Sequence, residues 1–265
     1  MKIFLELPFI VSALIISAAS ISVFLLAEKF TRKRIRHDLL NENHTVSGFV
    51  YNAVCIVYAV LIAFVVFVIW TDLEKTNETI EDEANCLLNL YYDANAYPDS
   101  VKKEIQSTIR DYTKRVTENE WKSLAYGKSD SAAQRSFIKL NRIYMNTKPE
   151  QVANSEVLSQ SLDNMKEVRE YRRHRLLSSR QNMPDILWLV MILASAIIVA
   201  FTFLFSVPNI TLNNVMMALL IFVNVLVLYL IFVLDNPYVG YDAIKPEAFQ
   251  PLIDIIKRFE AAPKP

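Results

Sequence analysis

The sequence predicts an all-α, polytopic membrane protein with four transmembrane helices and a helical soluble domain inserted between the second and third. Two observations carry this reading. Apolar residues collect in four long blocks, each reaching the roughly 20 residues that a helix needs to cross a hydrocarbon core about 30 Å thick. Between the second and third blocks, charged residues crowd a stretch whose apolar positions recur at three- and four-residue steps, the period of a helix face. The boundaries follow: 1–70 for the first two spans and their basic connection, 71–184 for the helical domain, 185–235 for a transmembrane hairpin, and 236–265 for a C-terminal turn and amphipathic helix.

The first span covers Leu7 to Ala27. Ala18-Ala19-Ser20 mimics a signal-peptide cleavage site, but apolar residues continue through Val23-Phe24-Leu25-Leu26, past the core of an ordinary signal, so the helix is expected to be retained. The second span covers Val46 to Trp70, with Trp70 at the depth of an interfacial aromatic. The third covers Ile186 to Phe205, with Pro184 ahead of it, where a missing N–H costs little. Ser206-Val207-Pro208-Asn209 turns the chain into the fourth, Val215 to Leu234. The short connection after the first span carries Lys29, Arg32, Lys33, Arg34 and Arg36, and short basic loops stay in the cytoplasm. In an inner (cell) membrane this places the N-terminus, the helical domain and the C-terminus outside the cytoplasm. Arg169, Arg172, Arg173, Arg175 and Arg180, before the third span, pull the other way from within a long loop.

Within 71–184, Leu73, Ile80, Ala84, Leu87, Leu88 and Tyr91 form one helical face. Asp99 opens a second helix with Val101, Ile105, Ile109, Tyr112 and Val116 on one stripe. Tyr126 to Asp130 reads as a turn, Ser131 as the cap of a third helix holding Phe137, Leu140 and Ile143, and Glu150 to Ser179 as the last helix. The two outer helices are expected to continue directly from the spans. Beyond the fourth span, Phe249, Leu252, Ile253, Ile256 and Phe259 make an amphipathic helix that either lies on the bilayer or packs on the domain.

Lys+Arg and Asp+Glu balance at 28 each, so the chain lacks the basic surplus that a nucleic-acid partner requires. Cys55 and Cys86 fall in different environments and suggest no disulfide, and the scattered His37, His44 and His174 suggest no metal site. No catalytic constellation, phosphate-binding glycine loop or cofactor motif occurs. The chain reads as a non-enzyme without cofactor or metal.

The second span is the most informative. Gly48, Asn52, Cys55, Ala59 and Ala63 repeat at three- and four-residue steps as a stripe of small or polar groups. Such a face lines a pore, and it equally permits close helix packing in lipid. Asn224, at mid-depth in the fourth span, joins the pore-lining candidates and needs a partner, either Asn52 or a neighbouring subunit. Ser12, Ser17, Ser20, Ser22, Ser195 and Thr202 are expected to bond carbonyls of the preceding turn. No span carries an ionisable residue at its centre, which speaks for a passive pore over a proton-coupled transporter. Above the membrane, acidic Glu74, Glu78 and Glu81 should face basic Arg172, Arg173 and Arg175, as a charged vestibule or as ordinary solvated ion pairs.

Several runs resemble the bestrophin-like family of bacterial integral membrane proteins. They are His44-Thr45-Val46-Ser47-Gly48-Phe49, Val57 to Val66 with Trp70, and Glu81-Asp82-Glu83-Ala84-Asn85 leading to Leu90-Tyr91. Glu120-Trp121, Arg172 to Arg175 before Leu176-Leu177, Leu187-Trp188, and Asp235-Asn236-Pro237-Tyr238-Val239-Gly240 follow in order. The resemblance implies kinship with bestrophins, pentameric anion channels with four spans and a helical soluble domain. It also implies termini and domain in the cytoplasm, opposite to the basic-loop reading. No counterpart of an aromatic neck or an acidic calcium clasp stands in this sequence. Two functional readings follow. One is a homo-oligomeric channel in a lipid bilayer for chloride or another small anion, with the second span lining the pore. The other is a non-conducting scaffold or envelope sensor whose domain binds a protein partner.

Overall fold

The computed structural model describes residues 5–32, 44–204 and 209–261. Lys33, Arg34 and Arg36 of the basic connection and Ser206 to Pro208 of the hairpin turn lie outside them. Among the described residues the ordered elements are helical and none is a strand. The chain divides into two compact units, residues 1–71 with 182–242 and residues 72–181 with 243–265.

In the first unit, α1 (Phe9–Arg32) is followed by α2 (His44–Asp93), then α7 (Asp185–Phe201) and α8 (Ile210–Leu234). Three helices are long and apolar enough to cross a membrane: Phe9–Phe30, the apolar part of α2, and α8. The helix expected at Ile186 to Phe205 stops at Phe201 and tightens into a single 3-10 turn, Thr202–Leu204. At 17 residues it falls just short of the same length. The fourth helix starts at Ile210, five residues before its expected edge, because Asn209 caps it by accepting from the Leu212 N–H at 3.1 Å.

α2 spends Ile62, Val65 and Ile69, one narrow stripe, on a core with Met191 of α7 and Ile231 of α8. α1 packs on α8 through small and aromatic positions. Ala13 and Ser17 are buried, Phe9 meets Tyr229 with ring centroids 5.2 Å apart, and the buried Glu28 accepts from Asn213 at 3.3 Å. In the orientation its neighbours require, the Asn214 amide also donates to Glu28, at 2.7 Å. The start of α1 is pinned to the turn after α8, where the Tyr241 N–H donates to the Leu5 carbonyl at 2.7 Å. Gly240, at φ +101°, sits against it; a Cβ there would lie 2.2 Å from the Leu5 oxygen, so only glycine fits. At that end of the hairpin, Asp235 accepts from the Met183 N–H at 2.6 Å and from Trp188 Nε1 at 3.1 Å.

The second unit is an up-down-up-down bundle. It contains the distal half of α2, α3 (Asp99–Arg115), a π turn (Val116–Glu120), the short α4 (Trp121–Leu124), α5 (Ser131–Asn146) and α6 (Ser155–Ser178). The sequence stripes are its core: Ile80, Ala84, Leu87, Tyr91, Ile105, Ile109, Tyr112, Val116, Phe137 and Leu140 are all buried. Asp130, one residue ahead of the expected Ser131, caps α5 through the Ala133 N–H at 2.8 Å. α6 begins at Ser155 instead of Glu150, because Asn154 caps it after a 3-10 turn at Pro149–Gln151. α2 continues without a break from the apolar stretch, as expected. α6 does not run on into the next helix: residues 179–184 intervene and Pro184 precedes α7.

The C-terminal helix α9 (Gln250–Ala261) packs on this bundle, deciding between the two placements open from sequence. Phe249, Leu252 and Ile256 are buried, and Phe249 meets Trp121 edge-on at 6.1 Å.

Candidate functional site

Residues three and four apart on a helix share a face, so the pattern in α2 gathers Gly48, Asn52, Cys55, Ala59 and Ala63 onto one side. The rest of the subunit leaves that side open. Asn52, Ala59 and Ala63 are exposed, and Gly48 and Cys55 are half-buried. Among the described residues, a Cβ built on Gly48 meets nothing within 4 Å. The neighbouring face carries large apolar groups in the open: Phe49 is 74%, Val57 71% and Phe64 66% exposed. Surface of that kind belongs against lipid or another subunit.

Asn224, half-buried, stands on α8. Its carbonyl oxygen accepts from the Tyr58 hydroxyl and from Ser195 Oγ, each at 3.0 Å, tying α2, α7 and α8 together. The carbonyl oxygen thus finds its partners in a phenol and a serine of the same unit, neither of them Asn52. Ser22 and Thr202 do bond carbonyls of the preceding turn, Ala18 and Val199, at 2.7 and 2.6 Å.

The charged residues of the second unit divide differently from the sequence expectation. Glu74, Glu78 and Glu81 are exposed and make no ion pair among the described residues, and Arg173 is exposed and pairs with Glu170 at 3.5 Å. Arg172 and Arg175 are not at a solvated mouth. They are 2% and 0% exposed, inside the bundle. Arg175 Nε donates to Glu83 Oε2 at 2.6 Å, while its Nη2 reaches Glu83 Oε1 at 3.1 Å and Glu120 Oε1 at 3.0 Å. Arg172 grips both oxygens of Glu120, at 2.8 and 3.3 Å. Tyr112 donates to Glu83 at 2.5 Å, and the Asp130 N–H donates to Glu120 at 3.1 Å. Aromatic faces complete the enclosure, with Tyr112 and Phe137 each 5.6 Å from the Arg172 guanidinium and Trp121 at 5.6 Å from that of Arg175.

Two acids and two bases oppose one another in this buried cluster, each ion pair offsetting part of the desolvation that burial imposes. Burial pulls the Arg175 guanidinium down, but the Glu83 charge, the Tyr112 oxygen and Glu120 more than offset it, and its pKa lies well above the ordinary value. Burial, followed by the Glu83 charge, pushes the Tyr112 phenol well up, so it is a permanent donor. Glu83 was legible as an acid on an apolar stripe, between Ile80 and Leu87. Glu120 was harder to find, because the π turn shifts the helical register and brings both it and Trp121 inward.

Elsewhere in the bundle, Asp93 accepts from Ser161 at 3.2 Å and Asn164 at 3.3 Å. Cys86 donates to Glu167 at 3.2 Å, and burial, then that carboxylate, pushes its thiol up to about 12. No cluster of three or more metal-ligating acidic, histidine or cysteine side chains occurs among the described residues.

A family model described as the bestrophin-like domain matches residues 14–249. No curated protein matches the sequence. Among solved structures, the fold matches a crystal structure of a bacterial bestrophin homologue from Klebsiella pneumoniae, with a TM-score of 0.65 at 9% identity. The match covers 91% of this chain and 99% of that one.

Proposed function

Because the chain belongs to the bestrophin-like family, we propose that it is one subunit of a homo-oligomeric ion channel in a lipid bilayer, with α2 lining the pore through Gly48, Asn52, Cys55, Ala59 and Ala63. The observation that carries this reading is the stripe itself: a helix of about 75 Å whose small and polar side is exposed at Asn52, Ala59 and Ala63. Four slender helices cannot enclose a water-filled path, so the pore forms between copies around a shared axis. α7 is the fourth crossing, extended by its 3-10 turn and held level with the end of α8 by Asp235. Chloride or another small anion is the proposed ion, from the kinship with bestrophins. The basic mouth does not support it, since only Arg173 of the three arginines reaches the surface.

The inner membrane is the proposed location, with the N-terminus, helical domain and C-terminus outside the cytoplasm. Burial of Arg172 and Arg175 against two carboxylates supports this side, because it removes two of the five arginines that opposed the basic connection.

Cysteine scanning of α2 in liposomes tests the lining. On a Cys55→Ala, Cys86→Ala background, cysteines at positions 48, 52, 59 and 63 should react with a water-soluble thiosulfonate and block chloride flux, while cysteines at Phe49, Val57 and Phe64 should not. The reverse pattern would move the pore to another helix. No flux before modification, across pH, calcium and osmotic tension, would favour a scaffold or envelope sensor.

A further inference from the structure

The second unit carries opposite charge on opposite sides. On the distal half of α2, Glu74, Glu78, Glu81 and Asp82 are exposed, with Lys75 the single base beside them. On α5, Arg135, Lys139 and Arg142 are exposed at four- and three-residue steps, and the helix contains no acid. Lys139 pairs with Glu104 at 3.3 Å; Arg135 and Arg142 form no ion pair among the described residues. Between these bases, Ile138 and Met145 are 45% and 68% exposed.

Contacts inside the bundle place the two helices at opposite corners. α2 is joined to α3 by Glu83 with Tyr112, and to α6 by Cys86 with Glu167 and Asp93 with Ser161. α5 is joined to the same two helices, by Lys139 with Glu104 of α3 and by Asn141 with Arg169 of α6. Across the centre, the buried Tyr144 hydroxyl of α5 donates to the Leu90 carbonyl of α2 at 3.3 Å. The acidic and basic faces therefore look outward in opposite directions. Tyr112 also fixes their relative level, since it bonds Glu83 and lies 6.0 Å, ring to ring, from Phe137. Glu81 and Asp82 on one face are then level with Arg135 on the other.

We propose that the helical domains of neighbouring copies dock head to tail, the acidic face of α2 in one copy against the basic face of α5 in the next. This rests on the oligomer reading above and adds the surface through which the copies meet. Rotation about an axis parallel to the bundle keeps every residue at its own level along it, so the matched levels of Glu81 and Arg135 survive in a ring. An isologous pairing would set acid on acid or base on base, whereas a heterologous one sets Glu81 and Asp82 against Arg135 and can close a ring. Ile138 and Met145 supply the apolar contact beneath the charges.

The test uses the full chain in liposomes on a Cys55→Ala, Cys86→Ala background, carrying Glu81→Cys and Arg135→Cys together and treated with a short bis-maleimide. The expected result is a ladder from dimer through trimer upward, with neither cysteine alone giving a ladder. Asp82→Lys should lower the ladder yield several-fold, and adding Lys139→Glu, less than one helical turn from its level, should restore it. Native mass of the same samples separates the two readings. An intact oligomer without a ladder overturns the docking and leaves the channel reading standing. A monomer without flux overturns both. Dimers from a single cysteine, or a ladder indifferent to charge reversal, also overturn it. So does an intact oligomer without a ladder in which Arg142→Glu only weakens binding to phosphatidylglycerol vesicles, which would assign the basic face to lipid.

Discussion

Arg175, at 0% exposure, is held by two carboxylates and an indole face, so each partner is indispensable to the others. Removing one acid strands a buried charge, a loss of about 3–5 kcal/mol. Glu83→Gln and Glu120→Gln should each lower unfolding stability on that scale in detergent. Glu83→Leu with Arg175→Met should recover much of it, and a Glu83→Gln variant as stable as the parent would contradict the network. Cys86 makes a separate prediction. With its thiol pushed up to about 12, it is neutral at pH 8 and should resist iodoacetamide until the protein is unfolded. Rapid native alkylation at Cys86, read by peptide mass, would refute that environment. Asp93 adds a pH dependence: burial raises its pKa, against opposing hydrogen bonds from Ser161 and Asn164. A carboxyl whose folded pKa exceeds its unfolded one stabilises most when protonated. Its contribution is full below the ordinary carboxylate value of about 4 and is lost as pH rises through the folded value. Asp93→Asn should flatten that part of the stability profile, and an unchanged slope would show the carboxyl to be immaterial.

At the scale of elements, apolar period located the helices, and caps and breakers corrected their ends. Ile105, Ile109, Tyr112 and Val116 announced α3 and its buried face, because their spacing is set by the helix itself. The ends of α6 and α8 were misplaced, because Asn154 and Asn209 cap through side-chain geometry that periodicity does not register. The stripe on α2 was readable as a pattern, and its exposure was not, since exposure depends on which face Met191 and Ile231 cover. Arg172 and Arg175 were misassigned for a related reason. A charge three residues from another on a polar helix reads as surface, and only the π turn that delivers Glu120 makes the interior habitable for both. Gly240 shows the same limit, its requirement arising from Leu5, more than two hundred positions away in the chain. Gly240→Ala should displace the start of α1, at a cost of about 1–3 kcal/mol for the strained backbone alone. Hydrogen exchange read by mass spectrometry should then find the Tyr241 amide, which donates to the Leu5 carbonyl, exchanging faster than in the parent, and equal rates would contradict the clamp.

At the scale of the whole molecule, α2 contributes residues to both units. The apolar part of α2 presents unburied aromatic and aliphatic groups, and its distal half is wrapped by α3, α6 and a four-charge core. So much uncovered apolar surface suits a lipid bilayer. The family match and the fold agree with that picture, and the channel reading turns on whether water and ions pass along the small side of α2. The most direct measurement is chloride against potassium flux through liposomes containing the purified protein, with Asn52→Leu in parallel and native mass confirming that the oligomer is intact. The account predicts chloride-selective flux that Asn52→Leu abolishes. Undiminished flux through the Asn52→Leu oligomer would contradict a pore lined by α2.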